Sequence, residues 1–281
     1  MPSIFVDQRR RLHWTEFGST SPDARPIIFC TGAAMSGSFA FADAAALGEL
    51  NVRLIAIDRP GLGQSDPHPD KTFATWIEDC RALQLHQPRA IGFSQGAPFA
   101  LALAHAGIVD AVAIVSGQDE LAHPSMAALL HPDIAAMLTT LQNDPQGFFD
   151  WFSGMATAEG LHDLILRFSS DRDRAVYQDA AFDAAFRRSL QEGFHQGAAG
   201  YTRDLINAMS PWPFAVEEIT APVHLWYGLK DTSTTHSPDF GATLAKRLPN
   251  ATLIQDPQSG GSILWTRARD ILTALTNQAV P

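Results

Sequence analysis

The sequence predicts an α/β fold: a mostly parallel, doubly wound sheet with an inserted helical segment. Over residues 1–117, short apolar runs without alternation, typical of strands buried on both faces, alternate with helical runs. The strand pattern stops at Gln118 and returns at Ala221, and the interval reads as successive amphipathic helices. We therefore expect a core made of residues 1–117 and 221–281, with residues 118–220 forming a helical lid.

Composition limits the classes of function that this chain can serve. With 281 residues and 46% hydrophobic content it can bury a large core. A net charge of -10 argues against binding to nucleic acid or to anionic membranes, since either requires a basic face. The sequence shows neither a signal peptide nor a membrane-spanning run. Cys30 and Cys80 lie in apolar runs, where free buried thiols are the ordinary case. We expect a cytoplasmic protein that acts on a small molecule.

The first half of the predicted core opens with a hairpin. Residues 3–7 and 11–17 alternate apolar with polar side chains on either side of a polar turn, which predicts an antiparallel pair. The other elements of this half are strands at 26–30, 53–58, 89–93 and 111–116, and helices at about 39–50 and 73–85. In such a sheet the ligand crevice lies at the carboxyl ends of the parallel strands, so the turns there are the places to search for chemistry.

One of these turns has the spacing of a nucleophile elbow, Gly92-x-Ser94-x-Gly96. A strand-like run precedes it and helix-forming residues follow, as the motif requires. Glycine is needed on both sides because neighbouring backbone packs too closely there for a Cβ. We expect a positive φ at Ser94, which is rare for a residue other than glycine. The alternative is a glycine-bounded turn without chemistry.

Two further turns follow strands on the same side of the sheet. Thr31-Gly32-Ala33 carries small residues that let the backbone approach a ligand and direct an N–H into the crevice. The turn from Asp58 to Ser65 is rich in Pro and Gly, and we interpret it as structural.

The inserted segment and the second half of the core complete the chain. Predicted lid helices cover residues 126–141, 148–155, 161–168, 179–192 and 201–208. The core resumes with a strand at 221–227, a helix at 237–247, a strand at 251–255 and a final helix after a loop at 256–262. Aromatic residues are dense in the insertion, and most are expected to pack it onto the core, while some line a substrate pocket.

In order and spacing, the motifs resemble those of an α/β-hydrolase of the lidded bacterial esterase and lactonase type. They are Thr31-Gly32, Asp58-x-x-Gly61-x-Gly63-x-Ser65, Gly92-x-Ser94-x-Gly96, Pro211-Trp-Pro-Phe214 and Gly228-x-x-Asp231. The resemblance implies that Ser94 is the nucleophile, that Asp231 is the acid orienting a base, and that the N–H groups of Ala33 and Gln95 form an oxyanion hole. It implies a small-molecule substrate and no cofactor or metal.

The final loop departs from the family's pattern. The base of the family lies after the last strand in a Gly-His step, and here Gly261 stands where histidine is expected. Without a base, Ser94 would be a poor nucleophile, and loss of the histidine from a serine triad costs about a millionfold in turnover. We therefore expect a polar void between Ser94 and Asp231 and an impaired ester, lactone or thioester hydrolase. The alternative is a non-catalytic protein that binds a small apolar ligand.

Other histidines leave the identity of the base open. His236 follows Asp231 by five residues but is expected to face solvent, and His224 lies in a predicted buried strand. The predicted lid contributes His123, His131, His162 and His195. Asp119 is a possible alternate acid, although an ordinary cap for the first lid helix fits its position better. No cluster has metal-ligand spacing, and Gly61-x-Gly63 lacks the context of a dinucleotide site.

Overall fold

The computed structural model describes residues 2–277, and its centre is an eight-stranded sheet. The strands are β1 (Ser3–Phe5), β2 (Arg11–Gly18), β3 (Arg25–Cys30), β4 (Val52–Ile57), β5 (Arg89–Phe93), β6 (Val112–Val115), β7 (Val223–Gly228) and β8 (Ala251–Asp256). Their order across the sheet is β1-β2-β4-β3-β5-β6-β7-β8. The β1–β2 and β2–β4 pairs are antiparallel and all the others are parallel, which confirms the predicted fold class and the opening hairpin.

Helices cover both faces of this sheet. They are α1 (Ala44–Glu49), α2 (Phe73–Arg81), α3 (Ala97–His105), α4 (Pro132–Asn143), α5 (Pro145–Met155), α6 (Ala158–Phe168), α7 (Asp171–Tyr177), α8 (Ala180–Phe194), α9 (Ala199–Met209), α10 (Ala242–Arg247), α11 (Ile263–Thr266) and α12 (Ala268–Thr276). Within residues 2–277, none of them is long and apolar enough to cross a membrane.

The central strands are apolar on both faces because both faces are covered. In β3, Ile27 and Phe29 belong to one hydrophobic cluster, and Ile28 and Cys30 belong to the other. This division follows from the two-residue period of a strand, which sends successive side chains to opposite faces. Cys30 is a free thiol, and burial raises its pKa to about 12. The sheet is thus a two-sided core that holds its carboxyl edge rigid.

The chain between β6 and β7 folds into the six helices α4–α9, and no strand occurs there among the described residues. Several boundaries differ from the predicted ones. The first helix begins at Pro132 rather than at 126, since His131 caps it with its side chain and proline occupies its first turn. Sequence periodicity missed α7, a short charged helix that Ser170 caps.

Three core helices are shorter than predicted, and the helix expected over 73–85 ends at Arg81. The helix expected over 39–50 begins only at Ala44, where the Asp43 carboxylate accepts from the N–H of Ala46. The helix expected over 237–247 is confined to Ala242–Arg247, and Phe240 and Gly241 before it have φ values of 55° and 81°. Residues 237–241, which are not part of α10, lengthen the loop between β7 and α10. This β7–α10 loop enters the candidate site.

Candidate active site

The turn after β5 has the geometry of a nucleophile elbow. Ser94 has φ 50°, which confirms the predicted strained conformation. A Cβ on Gly96 would lie 2.0 Å from the carbonyl oxygen of Cys30, and one on Gly92 would lie 2.8 Å from the Cα of Ala97. Both flanking glycines are therefore required by close backbone packing, and they hold the Ser94 side chain at the carboxyl edge of the sheet.

An imidazole lies directly against the Ser94 hydroxyl. His236 Nε2 is 2.9 Å from Ser94 Oγ, and His236 Nδ1 is 2.6 Å from Asp231 Oδ2. The second oxygen of Asp231 accepts from the N–H of Ser233 at 2.9 Å. With Nδ1–H donating to Asp231, Nε2 is left to accept from the hydroxyl, which is the arrangement of an activated serine.

This geometry corrects two expectations from the sequence. The expected void between Ser94 and Asp231 is wrong, because the imidazole of His236 occupies that position. Nor does His236 face solvent, since only 9% of it is exposed. Its position depends on the residue that follows it: Ser237 donates its N–H to the carbonyl of Gly117 and its hydroxyl to Asp119. The β7–α10 loop is thereby anchored to the end of β6.

Gly261 lies beside the carboxylate of Asp231. A Cβ on Gly261 would be 3.0 Å from Asp231 Oδ1 and 3.1 Å from both Cγ and Oδ2. The loop is held by the buried carboxylate of Asp173, which accepts from the N–H groups of Gly261 at 3.0 Å and of Ser262 at 2.8 Å. The final loop therefore approaches Asp231 closely, and a side chain at position 261 would press on its carboxylate.

The remaining histidines considered from the sequence are held elsewhere. His162 Nε2 lies 2.8 Å from Asp183 Oδ1, and His195 Nδ1 lies 3.0 Å from the carbonyl of Glu192. His123 contacts Ser125, and His131 caps α4. His224 lies in β7, and burial lowers its pKa. His236 is the histidine that the structure brings to Ser94.

The loop that carries Ala33 lies beside the elbow. Strands β3 and β5 are parallel neighbours with Cys30 opposite Gly92, so the segments that follow them leave the sheet side by side. A Cβ on Gly96 would also lie 2.7 Å from the carbonyl oxygen of Thr31. Gln95 follows Ser94 directly at the start of the turn that leads into α3. The two expected oxyanion donors are thus on adjacent loops at the same edge of the sheet.

One aromatic ring packs against the imidazole and belongs to a larger cluster of rings. The Phe93 ring lies 6.3 Å from His236 and 4.8 Å from Trp265, centroid to centroid. Trp265 in turn packs edge-on against Phe182 of α8 and Tyr177 of α7. The helical segment thus contributes two rings to the aromatic cluster that reaches the imidazole of His236.

The turn after β4 is built around the carboxylate of Asp58. Its oxygens accept from the N–H of Gly37 at 2.6 Å and of Gln64 at 2.9 Å, and one of them lies 2.8 Å from His13 Nδ1. A Cβ on Gly63 would lie 2.2 Å from Asp58 Cγ. These contacts support the structural interpretation of this turn. A cavity of about 280 Å³ beside it is lined by His13 and Glu192 but not by the Ser94 hydroxyl or its two partners.

Asp119 supports the β7–α10 loop, which carries His236, rather than capping a helix. It follows β6, is fully buried, and accepts from the N–H of Glu120 at 2.7 Å and the hydroxyl of Ser237 at 3.1 Å. The expectation that it caps the first inserted helix is wrong, since α4 begins at Pro132. Desolvation by burial raises the pKa of Asp119 to about 6.

This raised pKa predicts a pH-dependent stability difference between the parent chain and Asp119→Asn. Between pH 3.8, the ordinary pKa of the group, and about 6, the native carboxyl keeps a proton that the unfolded chain has lost. The native state therefore loses stability as pH rises through this interval, by about 3 kcal/mol in all. Urea unfolding at pH 4 to 7 should show the parent falling by this amount relative to Asp119→Asn. Asp133→Asn, an exposed matched control, should track the parent, and a constant difference between the parent and Asp119→Asn would contradict the assignment.

The fold of this chain is similar to those of known proteins. Residues 25–268 match the family described as alpha/beta hydrolase fold. A bromoperoxidase from Bacillus anthracis is 19% identical, covers 98% of this chain and 97% of its own, and superposes with a TM-score of 0.70. An enol-lactonase from Burkholderia xenovorans LB400 is 18% identical, with 98% of each chain covered and a TM-score of 0.66. An esterase from Exiguobacterium antarcticum is 16% identical, covers 95% of this chain and 94% of its own, and superposes with a TM-score of 0.63. At these identities the likeness shows the fold alone.

Proposed function

Because the chain belongs to the α/β-hydrolase fold family, we propose that it is a serine hydrolase that cleaves an ester, lactone or thioester bond of a small apolar molecule. The observation that carries this proposal is the continuous chain of contacts from Ser94 through His236 to Asp231, at 2.9 Å and 2.6 Å. A hydroxyl, an imidazole and a carboxylate in this order form the constellation that activates serine on several unrelated folds.

Each member of the triad has a defined task in acylation. Ser94 Oγ attacks the carbonyl carbon of the substrate, and His236 Nε2 takes the hydroxyl proton as the new C–O bond forms. The same proton then passes from Nε2 to the departing alcohol or thiol. Asp231 holds the Nδ1–H tautomer and stabilises the imidazolium, without itself taking the proton.

Deacylation repeats these steps with water as the nucleophile. His236 accepts a proton from the water that attacks the acyl-enzyme and returns it to Ser94 Oγ. The acid product leaves, and the serine is restored. No cofactor or metal enters this sequence of steps.

The developing negative charge on the carbonyl oxygen requires donors that are already in place. We assign this task to the backbone N–H groups of Gln95 and Ala33, which lie on the two loops beside Ser94. Donors of this kind act mainly on the transition state, and each is worth about 2.7–4 kcal/mol of barrier.

The impaired hydrolase and the non-catalytic binding protein both depended on the absence of a base. His236 removes the physical reason for either, and we propose neither. The aromatic cluster of Phe93, Trp265 and Phe182, which reaches the imidazole of His236, supports an apolar substrate, because aromatic side chains near the reacting carbonyl can bury hydrocarbon surface.

The proposal is tested by hydrolysis of p-nitrophenyl acetate, p-nitrophenyl butyrate and a γ-lactone by the parent chain and by Ser94→Ala. We expect ordinary enzyme turnover of about 1–10³ per second on at least one substrate. The kcat of Ser94→Ala should be lower by about 10⁶-fold. A fluorophosphonate should label Ser94 in the parent, as seen by peptide mass, and should leave the variant unlabelled. Equal rates in the two proteins, or no hydrolysis by either, would refute the proposal.

A further inference from the structure

The turn after β4 places one arginine against the loop that carries Ala33. Arg59 is completely buried. Its Nη1 donates to the carbonyl of Thr31 at 2.6 Å, and its Nη2 donates to the carbonyl of Gly32 at 3.0 Å. The guanidinium lies 4.8 Å over the ring of Phe99, on the helix that follows the elbow. One side chain therefore contacts the loop that carries Ala33 and the helix that follows Gln95.

We propose that Arg59 is a positioning residue that sets the direction of the Ala33 N–H in the oxyanion hole; this inference rests on the proposed hydrolase function. A trans peptide unit is planar, and its C=O and N–H point in opposite directions. The Gly32 carbonyl and the Ala33 N–H belong to one such unit. Holding the carbonyl on Arg59 therefore fixes the N–H on the opposite side, away from the buried guanidinium.

The accessibility of the loop agrees with this orientation. From Cys30 to Gly37 every residue is buried except Ala33, which is partly accessible. The next residue, Ala34, has φ 52°, so the loop carries a strained backbone that needs anchors. Arg59 holds the loop from its buried side, and the accessible side is the one that a substrate carbonyl can reach.

Arginine suits this task better than lysine would. Its planar fork of five N–H donors can serve two successive carbonyls and a carboxylate at once, whereas a lysine ammonium is a point charge on a flexible stem. The third partner is Asp204 of α9, whose Oδ2 accepts from Arg59 Nε at 2.8 Å. All three nitrogens of the guanidinium thus donate hydrogen bonds, and these contacts oppose its rotation.

The charge of Arg59 is compensated within the protein. Asp204 is completely buried and lies between Arg59 and Lys71, whose Nζ is 2.6 Å from Asp204 Oδ1. A buried cation needs such a partner because removing it from water without compensation costs several kcal/mol. Since Asp204 belongs to α9, the arginine also links the helical segment to the loop that carries Ala33.

The test measures the reaction and ground-state binding separately. Arg59→Lys should lower kcat about 10- to 10³-fold, because a misdirected N–H donor stabilises the transition state less while ground-state binding changes little. The Ki of butaneboronic acid, whose tetrahedral adduct places an oxygen in the oxyanion hole, should rise by a similar factor. Binding of the ester to Ser94→Ala and to the double variant Ser94→Ala/Arg59→Lys should differ less than about threefold, since ground-state binding makes little use of the hole.

A matched control separates positioning from general destabilisation. Lys71→Met removes the ion pair to Asp204 and the hydrogen bond from Nζ to the carbonyl of Pro60 at 2.7 Å, but no contact to Thr31 or Gly32. It should therefore lower Tm while kcat stays within about threefold. Asp204→Asn, which loosens the guanidinium without replacing it, should lower kcat even if Arg59→Lys fails to fold.

The possible outcomes distinguish this inference from the proposed function. If the parent shows no Ser94-dependent hydrolysis, the proposed function fails and the inference falls with it. If the parent is a hydrolase but Arg59→Lys and Asp204→Asn lower Tm and keep kcat within threefold, this inference alone is overturned.

Discussion

His236→Ala should reduce kcat for ester hydrolysis about 10⁴- to 10⁶-fold while the protein remains folded. The expectation follows from the geometry, since Nε2 is 2.9 Å from Ser94 Oγ and no other histidine considered above contacts that hydroxyl. Without the imidazole, Ser94 keeps the low nucleophilicity of an ordinary alcohol. KM should change much less than kcat, because the imidazole acts on the reacting atoms and not on the bulk of the substrate. Steady-state kinetics with p-nitrophenyl butyrate will measure both.

Two controls accompany this variant. His195→Ala removes an imidazole that contacts the carbonyl of Glu192, and its kcat should stay within about twofold of the parent. Added imidazole should restore part of the activity of His236→Ala, because the deletion leaves a polar space large enough for water or a small ring. If His236→Ala keeps more than a tenth of the parental kcat, the base is another group and the triad proposed above is wrong.

The sheet and the elbow could be predicted because their signals are local. Unbroken apolar runs predicted β3 to β6, and the two glycines around Ser94 marked a turn in which a Cβ has no room. Both patterns depend on residues within a few positions of each other, where side-chain period and backbone sterics act directly. The resemblance implied Asp231 as the acid through a motif of the same short kind, Gly228-x-x-Asp231.

The base could not be predicted, because its position depends on contacts far away in the chain. The Thr-Ser-Thr-Thr run before His236 has no periodicity, and the following residues were expected to begin a helix. The loop is instead fixed by Ser237, which contacts Gly117 and Asp119 at the end of β6. These partners are more than a hundred residues away, so only the folded sheet brings them together. The short Asp231-to-His236 spacing, combined with glycine at 261, was the available signal.

The boundaries of the helices in the inserted segment were missed for a different, local reason. Amphipathic periodicity predicted that residues 118–220 contain helices, but caps and prolines set where each one begins, as at Pro132 and Ser170. Arg59 illustrates the same limit as the base. The Pro and Gly around it predict a turn correctly, and nothing local shows that its side chain is buried against Thr31 and Gly32.

Introducing histidine at the glycine of the final loop, Gly261→His, should lower kcat about 10- to 10³-fold rather than raise it. Gly261 is not among the glycines with positive φ, so a side chain is compatible with its backbone and space alone decides the effect. A Cβ would press on the Asp231 carboxylate from 3.0 Å. That carboxylate holds His236 at 2.6 Å and the N–H of Ser233 at 2.9 Å, so displacing it misorients the base. Gly261→Ala should show the smaller part of the loss that comes from crowding alone.

The double variant His236→Ala/Gly261→His tests whether the imidazole can be moved from the β7–α10 loop to the final loop. With His236 removed, Asp231 is free to pair with an imidazole from the final loop, which Asp173 holds through the N–H groups of Gly261 and Ser262. We expect the double variant to exceed His236→Ala in kcat by about tenfold or more, since acid, nucleophile and oxyanion donors remain aligned. Its activity should depend on Asp231, so adding Asp231→Asn should remove the gain. A rise in kcat for the single variant Gly261→His would mean that His236 is not the base, because one carboxylate cannot orient two imidazoles toward the same hydroxyl.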